Sequence, residues 1–445
     1  MSAFLGLHTG LTGVRAAQLG LDTASHNVAN ANTPGHTRQR TVQSSRGPVQ
    51  VQNVPVGAGV KVTGVERMRD GFLDTRVRSV AATFESADAR AELLQRTESV
   101  LAEPTSGVTG LLGGVFDAFD DLALSPRDPA SRAQVLTSLD ALASRFNAVD
   151  TGWTQLATDT TERADFAIAD ANTDLARIAE INRTLAGFGT SQLPNDLLDE
   201  RDVLADQLAG AIGASVLTTP DHMMAVTLDG QTLVVAGPPS TAESLSRAGT
   251  ALQVDGAPPT PITARGEVGA LLDFVATDLP TIRGDFDQLA QDVATALNTQ
   301  HAAGRDLAGN PGGALLTGTT AGTLSLAAGL TGDTVAAAEA GRGPFDGGNA
   351  QAIADLREGV LDESARGFAV GLGQVVSAAT GAADAEEALM VGARTARRSA
   401  HSVSLDEEMV SLVQHQRALE ASARVMTAVD EALATLVSRV GVVGR

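Results

Sequence analysis

The sequence predicts a mainly α protein with β insertions: terminal coiled-coil helices, a long-helix bundle domain and small β-rich segments. Three observations carry that prediction. Apolar residues recur every seven positions at both ends, as Leu7, Val14, Leu21 and Val28 with Phe4 and Leu11 alongside, and as Leu405, Leu412, Leu419, Met426, Leu433 and Val440. A strict interval of seven keeps one seam of a slightly under-wound helix turned to a partner. Between the ends, long stretches keep helical spacing, and a composition of 43% hydrophobic but only 3% aromatic residues fits Ala/Val/Leu-rich helices. The helical pattern lapses where valine runs are punctuated by Gly and Pro, at 41–65 and again at 213–263.

Taken in order, the first helix should run from about Phe4 to Asn30. It stops at Asn32-Thr33-Pro34-Gly35, because the residue before proline avoids the helical region and Pro-Gly suits the centre of a type II turn. Val42, Val49, Val51, Val54, Val56, Val60, Val62 and Val65 then mark short strands or an extended hairpin. Helical spacing resumes near Phe72 (Val77, Val80, Phe84, Ala91, Leu94) and closes before Pro104. A short helix over Leu111–Leu122 follows, then after Pro129 a long one through Val135, Phe146, Trp153, Ile168 and Ile181 to Leu185. Another short helix carries Leu197, Leu198, Val203 and Leu208.

Residues 226–235 read as a hairpin turning at Asp229-Gly230. Helix returns from Glu267 to His301, and 304–348 should be loop with one or two strands around Leu324 and Leu326. Helices fill most of 350–398, and Ser404 with Glu407 forms a capping-box pattern for the last helix. The domain boundaries expected are 1–37 (axial helix and turn, pairing with 400–445), 38–70 (extended or β), 71–212 (first helical part), 213–265 (β insertion), 266–399 (second helical part) and 400–445 (C-terminal axial helix).

Composition narrows the chemistry. The chain of 445 residues has no cysteine, so it has no disulfide framework, thiolate nucleophile or cysteine zinc site. A net charge of −21 with a single lysine, Lys61, disfavours nucleic acid. No run approaches the ~20 apolar residues of a membrane helix, and no cleavable signal peptide is seen. P-loop, HExxH and GxSxG patterns are missing, and the seven histidines show no i, i+4 ligand pair. His301 with Asp306 could imitate half of a catalytic pair, but a helix-ending histidine beside a turn is the better reading. Asp196, Asp199, Glu200 and Asp202 around Arg201 point several ways on a helix, which favours a solvated face or inter-helix ion pairs. No enzyme, cofactor or metal site is expected.

That leaves the ladders. The second lane of the C-terminal helix is taken as Met409, Gln416, Ala423, Asp430 and Val437, whose polar members would fix register or partner number. The assembly interface is assigned to Leu7, Leu11, Val14, Leu21, Val28, Leu405, Met409, Leu412, Leu419, Met426, Leu433 and Val440, packed within or between subunits. Charge at the two ends is weakly complementary, basic over 1–40 and acidic over 401–445. Ordering two isolated end helices opposes the burial of about a dozen seam side chains. The ends are therefore expected to be largely unfolded in the free monomer and to become helical in an assembly.

The segment Ala24-Ser25-His26-Asn27-Val28-Ala29-Asn30-Ala31-Asn32-Thr33-Pro34-Gly35-His36-Thr37-Arg38-Gln39 resembles the N-terminal signature of bacterial flagellar rod, hook and hook-associated proteins, approximately SxNxANxNTPGYTRQ. Ser404-Leu405-Asp406-Glu407-Glu408-Met409 is similar to the NLDEE tail of the same group. Asn195–Asp202, Gly266–Phe274 and the run from Leu297 to Asp306 resemble the NDLLDxRD, GxxGGLLDF and LNxxHxxGxD stretches of the hook-associated protein 1 family, and Gly348-Asn349 its GDN. His36 departs from the usual Tyr but keeps a polar-tipped ring, so the turn should survive; the outer domain at 304–348 looks short.

The resemblance implies a non-enzymatic structural junction protein between flagellar hook and filament, with terminal helices forming the inner tube. Implied partners are further copies of itself in a ring or tube, the hook protein, the second hook-filament junction protein and an export chaperone on the C-terminal helix. The implied location is extracellular, reached through the flagellar type III apparatus without a cleaved signal. A hook or distal-rod protein is the nearest alternative, and a secreted adhesin or enzyme on flagellar-type termini a more distant one.

Overall fold

The computed structural model describes residues 2–51, 53–101, 107–188, 193–256, 258–358 and 360–440. It is mainly helical, with small antiparallel sheets set between long helices. α1 (Ser2–Ala29) ends at the turn, where His36 N–H donates to Thr33 O at 3.2 Å and Gly35 takes φ +83°. A positive φ after proline is the type II geometry, and it is open to glycine without strain. β1 (Gln39–Ser45) follows, then a small hairpin of β2 (Val49–Val51) and β3 (Val54–Val56), and β4 (Val60–Arg67) returns antiparallel to β1.

The helical body begins with α2 (Gly71–Leu101), α3 (Val108–Leu124), α4 (Pro129–Leu185) and α5 (Asn195–Ile212). α4 starts where expected, with Pro129 in its first turn and the Asp128 carboxylate accepting from Ser131 N–H at 3.0 Å. Two three-stranded sheets come next. The first is β5 (Ser215–Thr218), β6 (Met224–Leu228) and β7 (Gln231–Val234); the second is β8 (Leu245–Ala248), β9 (Ala251–Val254) and β10 (Thr260–Ile262). β6 and β7 turn at Asp229-Gly230, both with positive φ, as the dipeptide predicts.

The expected helix from Glu267 to His301 is interrupted. α6 (Gly266–Asp273) passes through one π turn, Phe274–Asp278, into α7 (Leu279–Ala303). Pro280 in the first turn of α7 is the cause: its ring displaces the preceding carbonyls and it donates no hydrogen bond. A two-residue ladder, β11 (Leu316–Thr317) with β12 (Ser325–Leu326), is all the strand structure in the following loop. α8 (Gly348–Ala354), α9 (Val360–His401) and α10 (Leu405–Val440) complete the chain.

Phe286 of α7 sits at the centre of the core. Its ring lies 4.9 Å from Phe146, 5.0 Å from Trp153 and 5.3 Å from Phe368 between centroids, so α4, α7 and α9 meet there. Trp153 is fully buried and donates its indole N–H to Thr97 O of α2 at 3.0 Å, which satisfies its polar edge.

The small β segments reach the long helices by one repeated device. Asn182 donates to Met224 O and accepts from Met224 N–H, at 2.8 and 3.1 Å. Asn172 does the same to Leu245, at 2.8 and 2.7 Å. Asn298 grips Leu316 at 2.8 and 3.0 Å, and Asn27 grips Gln39 at 2.8 and 2.9 Å. A carboxamide copies the donor and acceptor of a peptide group, so each asparagine offers a strand the pairing that a neighbouring strand would give.

Candidate assembly interface

α1 and α10 lie antiparallel, and their register is regular. Gly6 faces Val429, Gly13 faces Ser422, Gly20 faces His415, and Asn27 donates to Glu408 Oε2 at 3.1 Å. Each step of seven along α1 is answered by seven in reverse along α10, which is what paired heptads require. The residues at closest approach are small. A Cβ on Gly10 would come within 2.7 Å of Met426 Cγ and one on Gly13 within 2.6 Å of Ser422 Oγ, while one on Gly20 would run into the His415 ring. Glycine lets the two backbones draw together there.

The predicted ladders fall beside this seam. Leu7, Leu11, Val14, Leu21 and Val28 are half-buried along its flank, one position round the helix from Gly6, Gly13, Gly20 and Asn27. On α10, Leu412, Leu419, Met426 and Leu433 are half-buried in the groove. Leu405 is exposed because α1 has already ended opposite it, and Val440 closes the helix with its side chain outside the described residues. The second lane is corrected. Glu408, His415, Ser422 and Val429 face α1, whereas Met409, Gln416, Ala423, Asp430 and Val437 point outward. A lane three positions on and a lane four positions on satisfy the same heptad spacing; the close approach of the α1 glycines selects the first.

The outer side of the pair keeps apolar surface. Phe4 is 69% exposed, Met409 56% and Val437 73%, and Val410, Val413, Val425 and Leu436 are open as well. Exposed large apolar side chains on a helix pair are candidates for contact with a partner.

At the other end of the pair, the turn enters a network of charges. Arg38 donates to Glu408 at 2.7 Å and Glu407 at 2.6 Å. Thr37 N–H donates to Asp199 at 3.1 Å, and Arg67 at the end of β4 bridges Asp199 and Asp202 at 2.7 and 2.8 Å. Arg69 reaches Asp74 and Asp202, Arg78 reaches Asp202 and Asp206, and Arg397 of α9 reaches Asp206 at 2.5 Å. Burial pushes the Asp202 pKa up, but Arg67, Arg69 and Arg78 outweigh it and hold the carboxylate ionised below its ordinary value. α5 is thus the hub that fixes α1, the β1–β4 ribbon, α2 and α9.

The acidic run on α5 does make inter-helix ion pairs, and its members are the interface residues that sequence reasoning left out. The signal was Arg38, Arg67, Arg69 and Arg78 flanking the turn and ribbon. Arg201 turns the other way, donating to His222 O at 2.6 Å, with burial pushing its pKa down to about 10.

His301 and Asp306 are both occupied structurally. His301 is fully buried, its Nδ1 donates to Gly313 O at 2.7 Å and its Nε2 accepts from Ala336 N–H at 2.8 Å. Burial lowers its pKa and keeps it neutral. The Asp306 carboxylate accepts from Ala308 and Asn310 N–H at 2.9 and 2.8 Å, closing the loop. The i, i+4 test for metal ligands missed one juxtaposition: His26 and His36, ten apart in sequence, stack edge-on 5.4 Å apart beside Asp196.

Among known families, the flagellar hook-associated protein FlgK helical domain matches residues 94–316. The flagella basal body rod protein family matches 7–37, and the flagellar basal body rod FlgEFG protein C-terminal family matches 400–439. Flagellar hook-associated protein 1 of Salmonella typhimurium is 31% identical over 322 residues, covering 68% of this chain. The chain spans 57% of that relative's length. Flagellar hook-associated protein 1 of Bacillus subtilis is 27% identical over 512 residues, covering 100% of both chains.

In fold, the chain is similar to the flagellar hook junction protein FlgK from Burkholderia pseudomallei, with a TM-score of 0.67 and 16% identity over 74% of this chain and 100% of that one. The helical-domain match takes in about half of the chain by itself, between two rod-type ends, and the chain belongs to the flagellar hook-associated protein 1 family.

Proposed function

We propose that this chain is a non-enzymatic structural protein that assembles at the distal end of the flagellar hook and connects hook to filament. The observation that carries the reading is the α1–α10 pair, glycine-seamed inside and with exposed apolar side chains outside, held on a helical body of the hook-associated type. Outward apolar side chains serve a protein whose terminal helices pack against those of further copies in a ring or tube. The hook protein and the second hook-filament junction protein are the partners above and below. The open face of α10, with Met409, Val413 and Val425, suits an export chaperone before assembly. Delivery is outward, through the flagellar type III apparatus. Neighbouring copies that cover that face add to the order the α1–α10 pair already has.

Deletion of the gene should leave hooks without filaments, with flagellin shed into the medium, when cells are viewed by electron microscopy. Leu419→Asp, which places a charge in the half-buried lane of α10, should give the same phenotype and abolish chaperone binding. The melting temperature of the helical body should change little. Normal motility in the Leu419→Asp strain would refute the assignment.

A further inference from the structure

The turn that joins the terminal pair to the body brings two histidines and a carboxylate together. One ring nitrogen of His26, one of His36 and a carboxylate oxygen of Asp196 all lie within 4.8 Å of one another. They come from three separate places: α1, the turn after it, and the first turn of α5. His26 Nε2 and Asp196 Oδ1 are 3.2 Å apart. The His36 side chain is only 5% exposed, yet its Nε2 is buried without any hydrogen-bond partner. A buried ring nitrogen left unpaired is unfavourable by about 1–3 kcal/mol, so it calls for an explanation.

We propose that His26, His36 and Asp196 form a divalent metal site of the zinc type, which staples the terminal helix pair to the helical body. Two imidazoles and one carboxylate are a borderline-soft donor set suited to Zn²⁺, with the fourth tetrahedral position left to water. Ligands around tetrahedral zinc stand roughly 3.3 Å apart, so the ring nitrogens and the carboxylate need close by at most about 1.5 Å. Asp196, with a side chain 72% exposed, supplies that movement by giving up the 3.3 Å bond its Oδ1 accepts from Gln39. Zinc takes the place of the hydrogen now lying between His26 Nε2 and Asp196, and that hydrogen passes to Nδ1 of the ring or to solvent. With Nε2 of His36 on the metal, its Nδ1 stands 3.7 Å from Asp199 Oδ2, where a metal-bound imidazole finds its supporting carboxylate. The Asp199 carboxylate is already held by Thr37 N–H and Arg67, so it stands fixed within reach of a small shift of the His36 ring.

The site differs from the family signature at a residue that matters. Tyrosine, the usual occupant of position 36 in that signature, offers no imidazole. The inference therefore concerns this chain, and it stands apart from the assembly role.

The test is isothermal titration of the EDTA-stripped full chain with ZnCl₂ at pH 7.5, followed by thermal melting with zinc or with EDTA. One zinc per chain and a higher melting temperature in zinc are expected. His26→Asn and His36→Gln should each weaken binding at least ~10-fold and remove the thermal shift, and Asp196→Asn should weaken it. His36→Tyr, which keeps a ring at the turn, should melt like wild type in EDTA and yet bind no zinc at this site. Absence of a one-to-one site in the wild-type chain would overturn the proposal, as would binding that persists undiminished in both His26→Asn and His36→Tyr.

Discussion

Replacing Asp202 by Asn tests whether α5 is the clasp of the molecule. The carboxylate receives Arg67 at 2.8 Å, Arg69 at 3.0 Å and Arg78 at 3.3 Å, and its side chain is only 19% exposed. Asparagine keeps the shape and one acceptor oxygen, but it loses the charge and turns an NH₂ group toward an arginine. Removing one partner of a buried pair costs about 3–5 kcal/mol when the other is left unpaired. Here none is left unpaired, because Arg67 keeps Asp199, Arg69 keeps Asp74 and Arg78 keeps Asp206, each at 2.7 Å. The expected loss is therefore about 2–3 kcal/mol, at or below the low end of that range.

Urea unfolding followed by circular dichroism measures the loss, and hydrogen exchange at residues 31–38 and 60–70 should quicken in step. Arg342→Gln is the control. Its pair with Glu339 is 3.9 Å long with both side chains more than half exposed, so the change should be under ~0.5 kcal/mol. Raising the salt should leave the Asp202 effect nearly intact, since buried pairs are poorly screened. If Asp202→Asn costs no more than Arg342→Gln, the charges around α5 are ornament and the clasp lies elsewhere.

Two further outcomes follow from the same contacts. Gly20→Leu drives a side chain into the His415 ring, and overpacking of this kind costs about 1–3 kcal/mol. It should speed hydrogen exchange over residues 5–28 and 406–433 while the helical body exchanges as before, and unchanged exchange in the two terminal helices would contradict the glycine seam. His301 gives a pH dependence of known sign. Burial lowers its folded pKa, so its contribution is fully present above the unfolded value of about 6.5 and is lost as pH falls from there through the folded value. The stability gap between wild type and His301→Gln, read from urea midpoints, should shrink between pH 7.5 and 5; a gap that widens would contradict a neutral buried ring.

Much of the helical order was legible because period and punctuation act locally. Pro129 and Asp128 start α4, Asp229-Gly230 turns a hairpin, and Pro34-Gly35 ends the first helix, each through the conformational limits of its own residues. What escaped was contact made by small or polar side chains. Gly6, Gly13 and Gly20 are themselves seven apart, yet a search for apolar ladders weighs the side chains that are present and passes over places where one is lacking. The C-terminal helix shows the same limit, since heptad spacing alone does not distinguish Glu408, His415, Ser422 and Val429 from the lane one residue on. Nothing in the local pattern around Asn172, Asn182 or Asn298 tells that each holds a strand, which only the fold shows. The ion pairs of Asp199, Asp202 and Asp206 depend on arginines more than a hundred residues away, and the flanking arginines alone do not say which carboxylate each will meet.

The geometry of that clasp has a mechanical consequence. α1 leaves it as a rod of 28 residues, about 42 Å long. An angular slack of only ~5° at its root would swing the far tip by roughly 3.5 Å, more than half the pitch of a helix turn. Rods packed side by side in a tube keep its bore only if every root is stiff, which gives a reason for three arginines sharing the Asp202 carboxylate.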